Sequence, residues 1–269
     1  MKYQFGFIGC GNMGGALVKA VACSYATNSI ALCDTDTAKA SALAKQIGAV
    51  CVDLNTLVTE CEYIVLAIKP QGFEELFAKI SPLLQTRTER YVLISIAAGI
   101  SICKVQELAG KDTVPVIRLM PNTPVSVGEG MILYATNSAV TSAELQCVIS
   151  AMSSAGKVDA ISEDKIDVAG ALSGCGPAFV YLFAEALADG AVECGLARDK
   201  ANLYAAQTLA GAAKLLLESG KHPGELKDAV CSPGGTTIAG VHALETGGLR
   251  AAAIDAVVAA YQKTLLMKK

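Results

Sequence analysis

The chain has 269 residues, 52% of them hydrophobic and only 17% charged, with a formal net charge of −3. That composition excludes disorder for the chain as a whole, and the lack of any Lys/Arg block argues against a nucleic-acid partner. Charged residues normally make up about 25%, so the deficit predicts that part of the surface is covered, most simply by copies of the same chain.

In chain order, Tyr3–Ile8 reads as a strand. Its apolar run is too short for the core of a secretory leader. A glycine turn then opens a helix at Asn12–Cys23. The pattern continues as strand Ser29–Cys33, helix Thr37–Ile47, strand Val50–Val52, strand Tyr63–Ile68, helix Phe73–Leu84, strand Tyr91–Ile96, helix Ile102–Leu108 and strand Val114–Leu119. Gly130–Ala135 and Lys157–Ala160 add edge strands around a helix at Ser142–Ala155. Alternating strands and helices predict an α/β fold, a Rossmann-type, mostly parallel sheet with helices on both faces. After Ser162 the pattern is helical only: Glu163–Leu172, Pro177–Cys194, Arg198–Glu218, Pro223–Val230, Thr236–Thr246 and Leu249–Met267. The reading is therefore residues 1–161 as a dinucleotide-binding domain and 162–269 as an all-helical one. The uncharged stretch Val168–Ala184 is interrupted by Gly174, Gly176 and Pro177 and is not read as a membrane span.

Ten cysteines, Cys10, Cys23, Cys33, Cys51, Cys61, Cys103, Cys147, Cys175, Cys194 and Cys231, include no C-x-x-C pair. They read as small buried hydrophobes in a reducing cytoplasm. Glu185, Asp189 and Glu193 recur every four residues on one helix, which is read as a solvated face with no metal. His222 and His242, the two histidines of the chain, lack an evident acid or nucleophile partner and are read as structural.

Gly9-Cys10-Gly11-Asn12-Met13-Gly14 lies between the first strand and the first helix, the context a dinucleotide fingerprint requires. Gly9 permits the tight turn, Gly11 lets a pyrophosphate approach the backbone, and Gly14 allows close helix–strand packing. The free N–H groups of the helix start then face the phosphates. Asp34 ends the second strand, 20 residues beyond Gly14, where a carboxylate accepts from a ribose 2′-OH or simply caps the turn. Asp36 adds a second negative charge and no Arg follows, which leans toward NADH without excluding NADPH. Ala67-Ile68-Lys69-Pro70 and Ala97-Ala98-Gly99 sit at carboxyl ends of strands, where an open sheet binds its ligand. Lys69 is read as positional or structural rather than catalytic. In the helical half, Cys231-Ser232-Pro233-Gly234-Gly235-Thr236-Thr237-Ile238 breaks one helix and starts another. That leaves unpaired N–H donors, those of Gly235, Thr236 and Thr237, beside hydroxyls, a candidate carboxylate site. The turn Ser173-Gly174-Cys175-Gly176-Pro177-Ala178 has the same character.

Taken together, these segments resemble the pyrroline-5-carboxylate reductase family over essentially the whole chain. The resemblance rests on the opening glycine turn, Ala67–Pro70, Ala97–Gly99, Met120–Pro124, Leu172–Ala178 and above all Pro223–Glu245 around Ser232-Pro-Gly-Gly-Thr-Thr. It implies a C-terminal helical dimerisation domain, assembly as dimers and in many members decamers, and reduction of L-1-pyrroline-5-carboxylate to L-proline by NADPH or NADH. The implied cofactor-binding residues are Gly9, Cys10, Gly11, Asn12, Met13, Gly14, Asp34, Asn55, Ala67, Lys69, Pro70, Ala97, Ala98 and Gly99. The implied substrate-binding residues are Ser173, Cys175, Gly234, Gly235, Thr236 and Thr237, with the Thr237 hydroxyl on the ring nitrogen. Cys175 stands where many members carry Ser, and members often prefer NADPH. Two other readings stay open on the residues alone. One is a hydroxyacid dehydrogenase using Lys200, Lys214 or Lys227 as acid. The other is a dinucleotide sensor without turnover.

Overall fold

The computed structural model describes residues 1–267. Among them, β1 (Tyr3–Ile8), β2 (Ile30–Cys33), β3 (Val50–Cys51), β4 (Cys61–Leu66), β5 (Val92–Ser95), β6 (Val116–Met120), β7 (Gly130–Thr136) and β8 (Gly156–Ala160) form one sheet in the order β3-β2-β1-β4-β5-β6-β7-β8. Every pairing is parallel except β6 with β7. The order reverses between β1 and β4, which places a switch point at the carboxyl end of β1, where doubly wound sheets take their ligands.

Alternation along the strands splits the core into two layers. Phe5, Phe7, Val65, Ile94 and Leu119 face α1 (Asn12–Ser24), α2 (Thr37–Ile47) and, further along the chain, α6 (Ser142–Met152). Ile64, Leu66, Leu93 and Val116 face α3 (Leu54–Glu60), α4 (Phe73–Thr86) and α5 (Ile102–Ala109). Burial of this kind stabilises by about 25 cal/mol for each Å² of apolar surface removed from water.

Three expectations need correction. Lys157–Ala160 is an edge strand, but the preceding strand is internal: β7 lies between β6 and β8 and runs antiparallel to β6. An apolar run carries no record of strand direction. The helix α3 was not anticipated. It has only 7 residues, too few to show a period, and is started by the Asp53 side chain accepting from Thr56 N at 2.9 Å. The cysteines are all free, but only Cys10 and Cys61 are buried, while Cys23, Cys51, Cys103 and Cys194 are exposed.

The chain forms two compact units, Met1–Gly174 together with the segment from Tyr261 onward, and Cys175–Ala260. The first therefore includes α7 (Ile166–Ser173). By length and composition Glu163–Glu193 would be long and apolar enough to cross a membrane. It folds as two helices, α7 and α8 (Gly176–Glu193), separated at Gly174 and Cys175.

The second unit is built from α8, α9 (Arg198–Ser219), α10 (Pro223–Ala229), α11 (Thr236–Thr246) and the first part of α12 (Leu249–Met267). Helices α8 and α9 pack through Ala188, Ala201 and Ala205, small side chains that permit close approach and bury little area. Tyr181 and Leu182 on α8, Leu203 and Leu217 on α9, and Ile254 on α12 are left exposed. Such an apolar exterior is what a helical layer has when another subunit covers it.

Candidate functional site

Three glycines shape the turn after β1, each for a different reason. Gly9 has φ +105°, and a Cβ there would lie 2.4 Å from the Ala67 carbonyl oxygen. A Cβ on Gly14 would lie 2.3 Å from the Gly9 oxygen and 3.1 Å from the Ala67 Cβ. These two positions let β1, α1 and the end of β4 touch. Gly11 is different: it is the N-cap of α1, with φ −66° and ψ −174°, and a Cβ there meets nothing within 4 Å. The space in front of it is open. The Gly9 N–H donates to the Cys33 carbonyl and the Gly15 N–H to the Gly11 carbonyl. Among the described residues the N–H groups of Gly11, Asn12, Met13 and Gly14 have no acceptor. Four free donors at a helix N-terminus, beside a Gly11 with open space where a side chain would stand, fit a pyrophosphate.

The Asp34 carboxylate is turned toward this loop. Its Oδ2 accepts from Cys10 N at 2.6 Å and its Oδ1 from Asp36 N at 2.9 Å. Partial burial opposes its ionisation, but these N–H groups outweigh it and hold the carboxyl below its usual range. Burial, with Asp34 adjacent, pushes the Cys10 thiol up to about 12, so it stays neutral beside the anion cradle. Asp36 is the N-cap of α2, accepting from Lys39 N at 3.1 Å.

The other candidate cofactor residues lie at the same carboxyl edge. Ala67, Lys69 and Pro70 follow β4, and Ala97, Ala98 and Gly99 follow β5, with Gly99 at φ +77°. Lys69 is exposed and makes no ion pair among the described residues. Asn55 is exposed in the first turn of α3. Ser173 ends α7, and its hydroxyl donates back to the Ala169 carbonyl at 3.1 Å. Cys175, in the second unit, is the N-cap of α8 without a side-chain cap bond.

In the second unit, Ser232-Pro233-Gly234-Gly235 is a type II turn. The Gly235 N–H donates to the Ser232 carbonyl at 3.0 Å, Pro233 takes the second position, and Gly234 has φ +69°. Gly235 is the N-cap of α11, with no side-chain cap bond. This corrects the expectation that the Gly235 N–H is a free donor, since the turn consumes it. The free donors are instead the N–H groups of Thr236, Thr237 and Ile238. Among the described residues neither the Thr236 nor the Thr237 hydroxyl has a hydrogen-bond partner, so neither caps its own helix.

Four of the remaining candidates, Asp189, His222, Lys214 and Lys227, are engaged in local structure. Asp189 of the acidic stripe pairs with Arg198, and no cluster of His, Cys, Asp and Glu suited to a metal occurs among the described residues. His222 caps α10, its Nδ1 accepting from Gly224 N at 3.1 Å. Lys214 and Lys227 pair with Glu218 and Asp228 on the surface. Sequence reasoning missed Arg118 and Asn122, both buried near the end of β6. Their signal was the Arg-x-Met-x-Asn spacing, which puts three side chains on one face of an extended segment that runs two residues past the strand.

A family model described as pyrroline-5-carboxylate reductase dimerisation matches residues 163–267, and one described as NADP oxidoreductase, coenzyme F420-dependent, matches residues 4–99. The chain is 40% identical over 266 residues to a pyrroline-5-carboxylate reductase of Pisum sativum, covering 98% of this chain and 95% of that one. Two solved structures are similar over 100% of both chains. The Plasmodium falciparum pyrroline carboxylate reductase with NADP bound is 32% identical with a TM-score of 0.85. The Coxiella burnetii pyrroline-5-carboxylate reductase is 32% identical with a TM-score of 0.91.

Proposed function

The chain belongs to the pyrroline-5-carboxylate reductase family, and from that premise we propose which of its residues carry the reaction. The activity is the NAD(P)H-dependent reduction of L-1-pyrroline-5-carboxylate to L-proline, the last step of proline synthesis. In our reading, residues 1–161 bind the dinucleotide and 162–269 bind substrate and dimerise. The Gly11–Gly14 N–H groups hold the pyrophosphate, Asp34 and Asn55 lie toward the adenosine end, and Ala67, Lys69, Pro70 and Ala97–Gly99 border the nicotinamide half. The bound nicotinamide supplies a hydride to C5 of the ring imine. The N–H groups of Thr236, Thr237 and Ile238 hold the substrate carboxylate, where the dipole of α11 adds to the attraction. The imine accepts the hydride as its protonated iminium, whose ring N–H donates to the Thr237 hydroxyl oxygen, and the C=N electron pair moves onto the nitrogen to give the neutral amine. Catalysis is then chiefly proximity and orientation. The observation that carries this reading is the free Thr237 hydroxyl beside three free N–H donors. Loss of nicotinamide absorbance with purified protein and pyrroline-5-carboxylate, run beside a panel of hydroxy acids, tests it. Turnover of a hydroxy acid but not the imine overturns it.

We further infer that NADH is at least competitive with NADPH. A 2′-phosphate would meet Asp34 and Asp36, and the N-terminus of α2 that would otherwise receive it is filled by the Asp36 side chain. Because Asp36 is a cap, the informative variant leaves it in place. Asp34→Ser with the exposed Thr35→Arg should move the ratio of kcat/KM toward NADPH by roughly tenfold or more, the size of one new charge-assisted hydrogen bond. A wild-type enzyme strongly selective for NADPH contradicts this.

The dimerisation domain makes self-association a property of the chain. We propose a dimer as its unit, with the family's frequent decamer as the further assembly. Gly211 on α9 is exposed and a Cβ there meets nothing within 4 Å. Gly211→Glu is therefore harmless to the isolated subunit and harmful only where a partner covers that face. Light scattering should show the variant shifted toward monomer with its helical content intact. A stable wild-type monomer at micromolar concentration overturns the proposal. We place the enzyme in the cytoplasm, a reading that its ten unpaired thiols support.

A further inference from the structure

Strand β6 ends at Met120 but the backbone stays extended at Asn122, with φ −119° and ψ 169°, and alternate residues of an extended chain share a face. Arg118, Met120 and Asn122 therefore project to one side, the layer that α5 also occupies. Each of the three engages the helical segment Glu163–Gly174. Arg118, only 2% exposed, reaches Asp167 with Nη2 at 2.7 Å and Glu163 with Nη1 at 3.3 Å. The Met120 side chain lies where α7 has no side chains: a Cβ on Gly170 would be 2.9 Å from its Cε, and one on Gly174 3.4 Å. Asn122, also buried, donates from Nδ2 to the Ser173 carbonyl at 2.9 Å and accepts at Oδ1 from Met131 N, also at 2.9 Å. Glu163, Asp167, Gly170 and Gly174 recur at the spacing of one helical face. One strand face thus grips one helix face over its whole length.

The same network reaches the loop after β5. Glu163 Oε1 accepts from Ile102 N at 2.7 Å, at the first turn of α5 directly behind Ala97–Gly99 and Ser101. Two sets of bonds therefore act on α7: one runs from the loop after β5 through Glu163 and Arg118 to Asp167 at its start, the other from Met131 through Asn122 to the Ser173 carbonyl at its end, with Met120 packed between them. This is more than helix packing requires, because an apolar contact would hold α7 without fixing the Ser173 turn.

We propose that Asn122 is a positioning residue for the reduction: by clasping the Ser173 carbonyl it fixes the substrate turn at the end of α7 against the nicotinamide-facing loop Ala97–Gly99. The inference rests on the reading of those two segments given above. It requires Asn122 to touch neither substrate nor cofactor.

Asn122→Asp separates the two bonds. The carboxylate still accepts from Met131 N but can no longer donate to the Ser173 carbonyl. We expect kcat to fall by roughly tenfold, the scale of a slightly misplaced reacting pair. The primary isotope effect on kcat with 4-deuterated NADH should rise while NADH affinity by titration changes little; the buried carboxylate, facing a carbonyl oxygen, lowers the melting temperature as a separate effect. Gly170→Ala, which crowds the Met120 side chain at Cε and Cγ and leaves both Asn122 bonds in place, should show the same isotope effect more weakly and keeps the test available if the first variant folds poorly. A wild-type kcat and isotope effect in folded Asn122→Asp overturn the proposal, even if its melting temperature drops. Thr237→Val is run in parallel. If it is impaired while Asn122→Asp is normal, the clasp alone is wrong; if both are normal, the substrate reading beneath it has failed.

Discussion

Gly11→Val should lower cofactor affinity at least tenfold, about 1.4 kcal/mol or more, without unfolding the protein. The two halves of that expectation come from different observations. The backbone of Gly11 is extended, with φ −66°, a region any residue adopts, and a side chain there meets nothing within 4 Å. The fold therefore tolerates the branched side chain. A pyrophosphate on the N–H groups of Gly11, Asn12, Met13 and Gly14 must approach that same open space, so the side chain and the phosphate compete for it. The neighbouring glycines make the contrast. Gly9→Ala and Gly14→Ala place a Cβ 2.4 Å and 2.3 Å from backbone oxygens, so they should lose melting temperature before they lose affinity in any separable way. Titration of nicotinamide fluorescence against each variant, beside thermal unfolding, checks both. A Gly11→Val protein that binds NADH as the wild type does removes the turn from the site.

What the sequence made legible was local and periodic. The glycine turn announced itself because strand, glycines and helix are contiguous, and the strand–helix alternation followed from apolar runs of the right length. Strand direction is set by pairing across the sheet, so the antiparallel β7 was not legible. Asp34 was read as a ribose ligand or a turn cap. It does bind the turn, through Cys10 N, a bond between residues 24 apart that no local pattern encodes. The Gly235 N–H was counted as a free donor because two glycines before a helix look open. Pro233 and Gly234 instead complete a type II turn that uses it. Arg118 was passed over because a charged residue in a strand reads as exposed. Only the fold brings Glu163 and Asp167, 45 and 49 residues away, to bury it as an ion-paired group.

Thr237→Val should lower kcat and kcat/KM together by roughly ten- to a hundredfold, the worth of about 1.5–3 kcal/mol for a hydrogen bond to a charged group. The charge is the ring nitrogen, which becomes cationic as the imine is protonated to accept hydride. The competing explanation for a Thr at this position is helix capping, whose loss costs about 1 kcal/mol of stability and leaves the chemistry alone. The geometry separates the two. Gly235 is the cap of α11, the Thr237 hydroxyl has no partner among the described residues, and the residue is exposed. Valine keeps the branched shape and removes only the oxygen, so the melting temperature should be unchanged. The carboxylate is held by backbone N–H groups of Thr236, Thr237 and Ile238, which valine retains, so substrate KM should move little. The pH profile adds an independent check. A hydroxyl does not titrate near neutrality, so if it orients an already protonated ring nitrogen the variant keeps the wild-type profile at reduced height. A shifted profile would mean that Thr237 relays the proton itself, and a wild-type rate would mean that the hydroxyl has no part in the reaction.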